Sequence, residues 1–198
     1  MPTAAYRRVY NLAEDQMGYV TTAQAAETGV RPMTLVMMSR RGTLERTSRG
    51  VYRLVDFPTY PLAQYMQATL WPYERPGVLS HETALALYEM SDADPAKMHI
   101  TVPTRFRIQR QVPAYLIVHR ADLGSSEVTA FERMPITTPE RTLRDCIAAD
   151  LGPALISQAV EDGLRSGRLS ARTADELRSE LRNELRNEHR QNAAAGAV

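Results

Sequence analysis

The chain has 198 residues, is 43% hydrophobic and carries a formal net charge of +1, so it can form one ordinary domain or two small ones. No apolar run approaches the roughly 18 residues of a membrane helix, and Met1–Asn11 has no signal-peptide character. We therefore expect a cytoplasmic protein with no membrane partner. The single cysteine, Cys146, excludes an internal disulfide and a multi-cysteine metal site, and its apolar helical surroundings predict a small core residue.

Three short helices are predicted at the N-terminus, over residues 5–17, 23–28 and 32–41. Thr21 and Thr22 offer an N-cap to the second helix, and Pro32 suits the first position of the third. The second and third helices meet at a tight Thr28-Gly29-Val30 turn. This is a helix-turn-helix arrangement, in which the second helix of the pair enters the DNA major groove.

A β-hairpin is predicted directly after the third helix. Residues 43–46 and 51–54 alternate in character, and residues 48–50 form a Gly-containing turn between them. Three helices followed by such a hairpin, or wing, indicate a winged helix-turn-helix over residues 5–57. Residues 1–57 hold eight arginines and five acidic residues, and five of those arginines lie between positions 40 and 53. Local clustering of cations is what DNA binding requires.

The remaining chain predicts a mixed α/β domain over residues 58–169, which gives an α+β protein overall. The predicted helices cover 60–71, 80–89, 139–149 and a further segment ending at 164, and the predicted strands cover 98–102, 115–118 and 128–136. Thr138 as N-cap, Pro139 and Glu140 make a strong helix start.

A C-terminal amphipathic helix is predicted over residues 170–192, with Ser170 as its cap and a disordered tail over 193–198. Leu177, Leu181 and Leu185 form an apolar stripe, and the glutamates and arginines of its four-residue repeat lie on opposite flanks. Same-sign neighbours at that spacing cost roughly 0.2–0.5 kcal/mol each. Two interpretations stay open: an exposed helix, or one that docks on another chain or on its own core.

The sequence shows no catalytic constellation, cofactor site or metal site. Gly-rich phosphate loops and a Gly-x-Ser-x-Gly elbow are absent. A carboxylate–lysine nuclease needs an acidic residue two positions before a lysine, but the only lysine, Lys97, has Pro95 there. We expect a protein that is not an enzyme and needs no cofactor. The histidines are scattered along the chain without metal-ligand spacing: His81, His99, His119 and His189.

Several segments together resemble the AbiEi-type antitoxins, the antitoxin halves of type IV toxin–antitoxin systems. The order and spacing of these segments make the resemblance fairly specific over about residues 5 to 165. In the helix-turn-helix and the wing they are Tyr19–Ala26, Arg40–Arg46 and Arg49–Leu54. In the following domain they are Leu79–Leu85, His99–Pro103 and Thr138–Asp145.

The resemblance implies a transcriptional repressor and antitoxin. The winged helix would bind inverted repeats in the double-stranded promoter DNA of its own operon and repress it. The C-terminal domain would carry the antitoxicity. The cognate toxin would be a nucleotidyltransferase encoded alongside, and the resemblance leaves open whether the antitoxin binds it directly.

Helix three departs from the relatives, which often carry basic or polar residues on its exposed face. Leu35 and Met38 fit the buried face, so the exposed positions are expected to hold Pro32, Met33, Val36 and Met37. Apolar side chains can touch a thymine methyl but cannot make the bidentate contacts that read guanine or adenine. The candidate DNA-contacting residues are Thr22, Gln24, Arg31, Met33, Thr34, Met37, Arg40, Arg41, Arg46, Ser48, Arg49 and Arg53.

Two functional interpretations follow from this helix. In the first, arginines supply phosphate contacts, and Arg31, Thr34 and Ser39 supply the limited direct readout. In the second, the winged helix is a scaffold that does not bind DNA, and the chain is a protein-interaction module that neutralises the toxin directly. Methionine-rich surfaces suit such protein contacts. An enzymatic role for the second domain ranks below both.

Overall fold

The computed structural model describes residues 3–195, with side chains described to residue 187. It confirms the α+β class, with N-terminal helices, two β-sheets and a C-terminal helix. The elements up to residue 79 are α1 Ala4–Glu14, β1 Tyr19–Thr21, α2 Thr22–Glu27, α3 Pro32–Arg40, β2 Leu44–Ser48, β3 Val51–Leu54, α4 Ala63–Leu70 and β4 Val78–Leu79. The later elements are α5 His81–Tyr88, β5 Met98–Val102, β6 Leu116–Arg120, β7 Val128–Phe131, β8 Met134–Thr137, α6 Pro139–Ala148, α7 Pro153–Arg165 and α8 Ala171–Ala195.

The chain forms two compact units that do not follow a single cut in the sequence. The first unit holds the described residues up to Leu79 together with Ile100–Asp122 and Ala130–Ile136. The second unit holds Ser80–His99, Leu123–Thr129 and the described residues from Thr137 onward. The domain boundaries expected from the sequence, after residues 57 and 169, stay a prediction. Within the described residues, no helix combines the length and apolar character that crossing a membrane requires.

The starts of α2 and α3 follow the capping chemistry expected from the sequence, whereas α1 ends at Glu14, before the expected end at residue 17. The backbone N–H of Gln24 donates to Thr21 Oγ1 at 3.2 Å, and the backbone N–H of Thr21 donates to Gln24 Oε1 at 3.0 Å. These two bonds form a capping box at the start of α2. Pro32 occupies the first turn of α3. Gly29, with a φ of 77°, makes the sharp turn between the two helices.

A three-stranded antiparallel sheet completes the N-terminal fold, in the order β1-β3-β2. The residues 19–21, expected as an extended link, form a strand whose Thr21 pairs with Val51. The wing strands β2 and β3 pair from Leu44 opposite Leu54 to a bulge near Ser48. Buried side chains from the helices and the sheet form one apolar core, made of Val9, Ala13, Val20, Ala25, Val30, Leu35, Met38, Leu44, Tyr52 and Leu54.

A second sheet has the strand order β6-β5-β4-β8-β7. The short strand β4 is antiparallel to β5 and parallel to β8. The sequence predicts residues 128–136 as one extended stretch, which is wrong in one respect. The chain reverses at Glu132 and Arg133, with φ of 46° and 65°, and forms two adjacent strands. Neither residue is glycine, so the usual signal for such a turn is absent from the sequence.

Helices α5 to α8 lie in the second unit. The predicted start of α6 is confirmed, because Thr138 Oγ1 accepts from the Arg141 backbone N–H at 3.4 Å and Pro139 occupies the first turn. Cys146 is buried, and burial raises the pKa of its thiol, as expected for a core residue. The apolar interior of this unit contains Leu85, Met90, Leu143, Ile147, Ile156, Ala159, Val160, Leu169, Ala174 and Leu177.

The first half of α8 docks on its own unit. Ser170 caps this helix, with its Oγ accepting from the Thr173 backbone N–H at 3.1 Å. Leu177 is fully buried, and the Glu180 carboxylate lies 3.4 Å from Arg144 of α6. Of the two interpretations left open for this helix, docking on its own core therefore holds for this half. The helix extends to Ala195, past the expected end at 192, and residues 196–198 lie outside the described residues.

Two histidines far apart in the sequence lie close together in the second unit. The rings of His81 and His99 have centroids 5.9 Å apart, and Ser80 Oγ lies 2.9 Å from His81 Nδ1. The backbone N–H of His99 donates to Thr83 Oγ1 at 2.8 Å. Burial lowers the pKa of His99, which favours its neutral form. The scattered positions of these residues in the sequence gave no sign of this proximity.

Tyr88 makes the stability of the second unit sensitive to alkaline pH. Its hydroxyl donates to the Thr137 carbonyl at 2.8 Å, and burial raises its pKa to about 12, against the opposing effect of Arg168. Because the folded pKa exceeds the unfolded value of about 10, the associated stability is complete below about pH 10 and is lost as the pH rises through 12. We expect Tyr88→Phe to remove this alkaline loss and to cost about 1 kcal/mol at neutral pH.

Urea unfolding of wild type and Tyr88→Phe between about pH 7 and 11 measures both effects. Tyr60→Phe is the matched control, since the Tyr60 side chain is 45% exposed. An alkaline profile for Tyr88→Phe that overlays the wild-type profile would contradict the prediction.

Candidate DNA interface

The solvent face of α3 is apolar, as expected from the sequence. Leu35 is fully buried and Met38 is 9% exposed, whereas Met33 is 65% exposed and Met37 is 39% exposed. Val36 is only half-buried. The two exposed methionines can contact thymine methyl groups but offer no strong hydrogen-bond donor to a guanine or adenine edge.

Five arginines on and beside α3 and the wing are exposed to solvent. Arg31 is the N-cap residue of α3, Arg40 ends the helix and Arg41 follows it. Arg46 lies in β2, and Arg49 lies in the turn of the wing. Exposed guanidinium groups are of the type that contacts DNA phosphates in DNA-binding proteins, and phosphate contacts dominate the affinity of most such proteins.

Two of the candidate contact residues have internal partners. The side-chain amide of Gln24 donates to Gln16 Oε1 at 2.8 Å, in addition to its part in the capping box. Nη2 of Arg53 donates to the carbonyls of Phe57 and Pro58 at 2.9 and 3.1 Å, and its guanidinium lies over the ring of Tyr19. Both side chains therefore hold the fold together at these positions.

The polar candidates Thr22, Thr34 and Ser48 are half-buried. Thr22 begins α2, and its backbone N–H donates to the Gly50 carbonyl at 2.8 Å, which ties the wing turn to the helix-turn-helix. The Ser48 hydroxyl is buried and has no hydrogen-bond partner among the described residues. Of the three, Thr22 has the clearest role, which is to position the wing.

The wing turn is held from two sides. Nη1 of Arg110 donates to the Arg49 carbonyl at 2.7 Å, and Thr22 bonds the carbonyl of Gly50. Gly50 has a φ of 79°, and a Cβ atom there would lie 2.9 Å from Tyr73 Cγ and 3.1 Å from Thr22 Oγ1. Glycine is therefore required both by the backbone conformation and by the close approach of two side chains.

Gly50→Ala is expected to destabilise the first unit by about 2 kcal/mol, because it adds a steric contact to an unfavourable φ. Urea unfolding followed by the fluorescence of Trp71, the single tryptophan, measures the loss. Gly42→Ala is the matched control: its φ is 75°, but an added Cβ has no neighbour within 4 Å. Equal losses for the two variants would show that the Tyr73 contact contributes nothing.

Further arginines of the first unit lie beside the wing turn and are missing from the candidates chosen on sequence. Arg75, Arg105, Arg107 and Arg110 line one cavity together with Arg49. The sequence carries a signal for three of them in the run Arg105-Phe106-Arg107-Ile108-Gln109-Arg110, where cations alternate with other residues. Only the fold brings that run next to residues 71–75 and the wing.

The N-terminal part of the first unit has the architecture of a winged helix-turn-helix protein. Residues 7–55 match the model of the family described as "Transcriptional regulator, AbiEi antitoxin", which confirms the resemblance over that segment. Among curated proteins there is no match. Among solved structures the chain is similar to the RV2827C protein from Mycobacterium tuberculosis, with 20% identity over 90% of this chain and 72% of that chain and a TM-score of 0.48.

Proposed function

We propose that this protein is the antitoxin of a type IV, AbiE-like toxin–antitoxin system and represses its own operon by binding inverted repeats in the promoter. The observation that carries the proposal is the set of exposed arginines on α3 and the wing, within the segment that matches a family of transcriptional regulators. The promoter is double-stranded DNA, so this action takes place in the cytoplasm. The protein has no catalytic role in this proposal.

In this proposal, some residues of the interface contact phosphates and supply affinity, and others contact bases and supply sequence recognition. Arg40, Arg41, Arg46 and Arg49 contact phosphates. Arg31, Thr34 and Ser39 supply the limited polar readout of bases, and Met33 and Met37 contact thymine methyl groups. Most of the affinity therefore comes from the phosphate backbone, and binding depends strongly on salt.

Gln24 and Arg53 support this interface from within, through the internal bonds that they make. Thr22 does the same by bonding the carbonyl of Gly50. Their substitution is expected to affect DNA binding by loosening the helix-turn-helix and the wing rather than by removing a DNA contact.

The test is a promoter-shift assay with the double variant Arg40→Ala/Arg49→Ala. We expect weaker binding by roughly the same factor on all sequences, and a slope of log K against log salt that is smaller by about two. The control Arg165→Ala/Arg172→Ala removes the same charge from exposed positions of the second unit and should bind as wild type does. Failure of the wild type to shift its promoter at low salt would reject the DNA-binding half.

The cognate toxin in this proposal is a nucleotidyltransferase encoded beside the antitoxin. Co-expression of that toxin with the wild-type antitoxin should restore growth. Absence of a nucleotidyltransferase reading frame next to this gene, together with absence of rescue, would reject the antitoxin half.

A second function is favoured by the exposed methionines. Met33 and Met37 give α3 an apolar solvent face, which suits a direct protein contact with the toxin and a winged helix that serves only as a scaffold. In that case Met33→Ala/Met37→Ala should abolish rescue from the toxin, while Arg40→Ala/Arg49→Ala should leave rescue intact. Promoter binding by a protein that gives no rescue would reject this second function.

A further inference from the structure

A cavity of about 460 Å³ lies beside the wing turn, entirely within the first unit. Its walls come from the wing turn, from residues 71–75 and from residues 102–110. We call it the arginine pocket, after the five arginines that line it. These are Arg49, Arg75, Arg105, Arg107 and Arg110.

Arg110 is held in the arginine pocket by three contacts with its neighbours. Its guanidinium lies over the ring of Trp71 at 4.5 Å and over the ring of Tyr73 at 5.2 Å. Nη1 donates to the carbonyl of Arg49, whereas Nη2 is buried and has no hydrogen-bond partner among the described residues. A buried guanidinium nitrogen without an acceptor is costly, and an anion bound beside Arg110 would offset the charge of its guanidinium.

The net charge of the lining residues also favours an anionic ligand. Among the lining residues there are five arginines and one acidic residue, Glu74. Like charges gathered around a concave, partly desolvated space repel one another and focus a positive potential into it. Burial lowers the pKa of Arg110; Tyr73 and Tyr115 oppose this effect, and Arg49 adds to it. A polyanion in the pocket would relieve this repulsion.

Size and aromatic content narrow the class of anion. A cavity of about 460 Å³ falls in the usual range for small-molecule sites and exceeds what a single phosphate group needs. Tyr73 and Phe106 are half-buried lining residues, and aromatic rings stack with bases. We propose that the arginine pocket binds a phosphorylated small molecule of nucleotide size, whose phosphates meet the guanidinium groups.

The phosphate could come from a free nucleotide or from DNA held by the wing, and the concave shape favours the free nucleotide. A duplex presents its phosphates on a convex surface. It therefore reaches exposed arginines such as Arg49 more readily than the interior of a cavity. Nucleotide binding in the arginine pocket does not require promoter binding, so the two proposals can be tested independently.

Trp71 lines the arginine pocket and is the only tryptophan of the chain, so intrinsic fluorescence reports on this site. The full-length protein is titrated without DNA, first with inorganic triphosphate and then with ATP, and isothermal calorimetry gives the stoichiometry. We expect a saturable fluorescence change with one site per chain. Arg105→Gln/Arg107→Gln should weaken binding about tenfold or more, because it removes charge-assisted hydrogen bonds to the phosphates that contribute to the binding free energy.

Arg120→Gln is the control, because Arg120 is an exposed arginine of the same unit outside the pocket lining, and it should bind within about twofold of wild type. Circular dichroism of each variant confirms folding. No saturable signal or heat up to millimolar triphosphate and ATP would overturn the proposal. A signal from duplex DNA alone, or equal weakening in Arg120→Gln and the double variant, would also overturn it.

Discussion

Arg141→Met should lower the free energy of unfolding by about 3 kcal/mol, because it leaves a buried carboxylate without its partner. The Arg141 side chain is 18% exposed, and its Nε lies 2.8 Å from Oδ1 of Asp145, which is 12% exposed. Its Nη1 also lies 2.6 Å from Glu127 Oε1. The second carboxylate oxygen of Asp145 is buried with no partner among the described residues, so the variant would have nothing else to offset the charge.

The loss should also depend on pH. Burial already raises the pKa of Asp145 in the wild type, against the effect of Arg141. A carboxyl group with a raised folded pKa binds its proton more tightly in the folded state, so stability increases as the pH falls towards the ordinary value of about 4. The deficit of Arg141→Met should therefore be smaller near pH 4 than near pH 7, as measured by urea unfolding followed by circular dichroism.

Two further variants separate this effect from a general loss of charge. Arg144→Met removes a neighbouring arginine that is 42% exposed and pairs with Glu140 and Glu180, and it should cost no more than about 1 kcal/mol. Adding Asp145→Leu to Arg141→Met should recover most of the lost stability, because a buried ion pair can be replaced by apolar side chains. Equal losses for Arg141→Met and Arg144→Met would contradict this account.

Leu35→Ala should destabilise the first unit by about 3 kcal/mol, the usual cost of a leucine-sized cavity in a core. Leu35 is fully buried, and it packs in the core shared by the three N-terminal helices and the first sheet. Alanine is a good helix former, so the effect comes from lost packing and not from the helix itself. The fluorescence of Trp71 during urea unfolding measures the change, since both residues belong to the same unit.

Met37→Ala provides the comparison on the same helix. Met37 is 39% exposed, so its truncation should change the free energy of unfolding by no more than about 0.5 kcal/mol. If the two variants lost similar stability, the assignment of the buried and exposed faces of α3 would be wrong. That result would also remove the basis for placing Met33 and Met37 at an interface with either DNA or a protein.

Local signals predicted most of the helices and the wing. Pro32, Thr138 and Ser170 mark helix starts whose chemistry depends on neighbours within a few residues, and all three lie where the sequence placed them. The strand Met98–Val102 was also predicted with its observed bounds. Such features depend on capping and periodicity, which a single sequence displays directly.

Long-range pairing explains what the sequence did not reveal. The strands β1 and β4 are three and two residues long, too short to show a period, and they exist because distant strands bond to them. The turn at Glu132 and Arg133 uses the left-handed region without glycine. The same limit applies to the arginine pocket, since its lining comes from three separate segments of the chain.

The candidate interface was predicted in part. The apolar face of α3 follows from the spacing of Leu35 and Met38, and the structure bears it out. Gln24 and Arg53 have the right residue types for DNA contacts, but the structure gives both internal partners. Residue type shows that a side chain can form a hydrogen bond, and only the fold shows whether a neighbour already takes part in it.

The hydrogen bond from Arg110 to the wing turn has different consequences for substitution at the adjacent positions 49 and 50. Arg110 donates to the backbone carbonyl of Arg49 and not to its side chain, so this hydrogen bond can form with any side chain at position 49. Position 50 must be glycine, because the backbone conformation and the close side chains of Tyr73 and Thr22 exclude a Cβ atom. Position 49 at the tip of the wing can therefore carry a different side chain while the backbone of the turn keeps its conformation, which depends on the glycine at position 50.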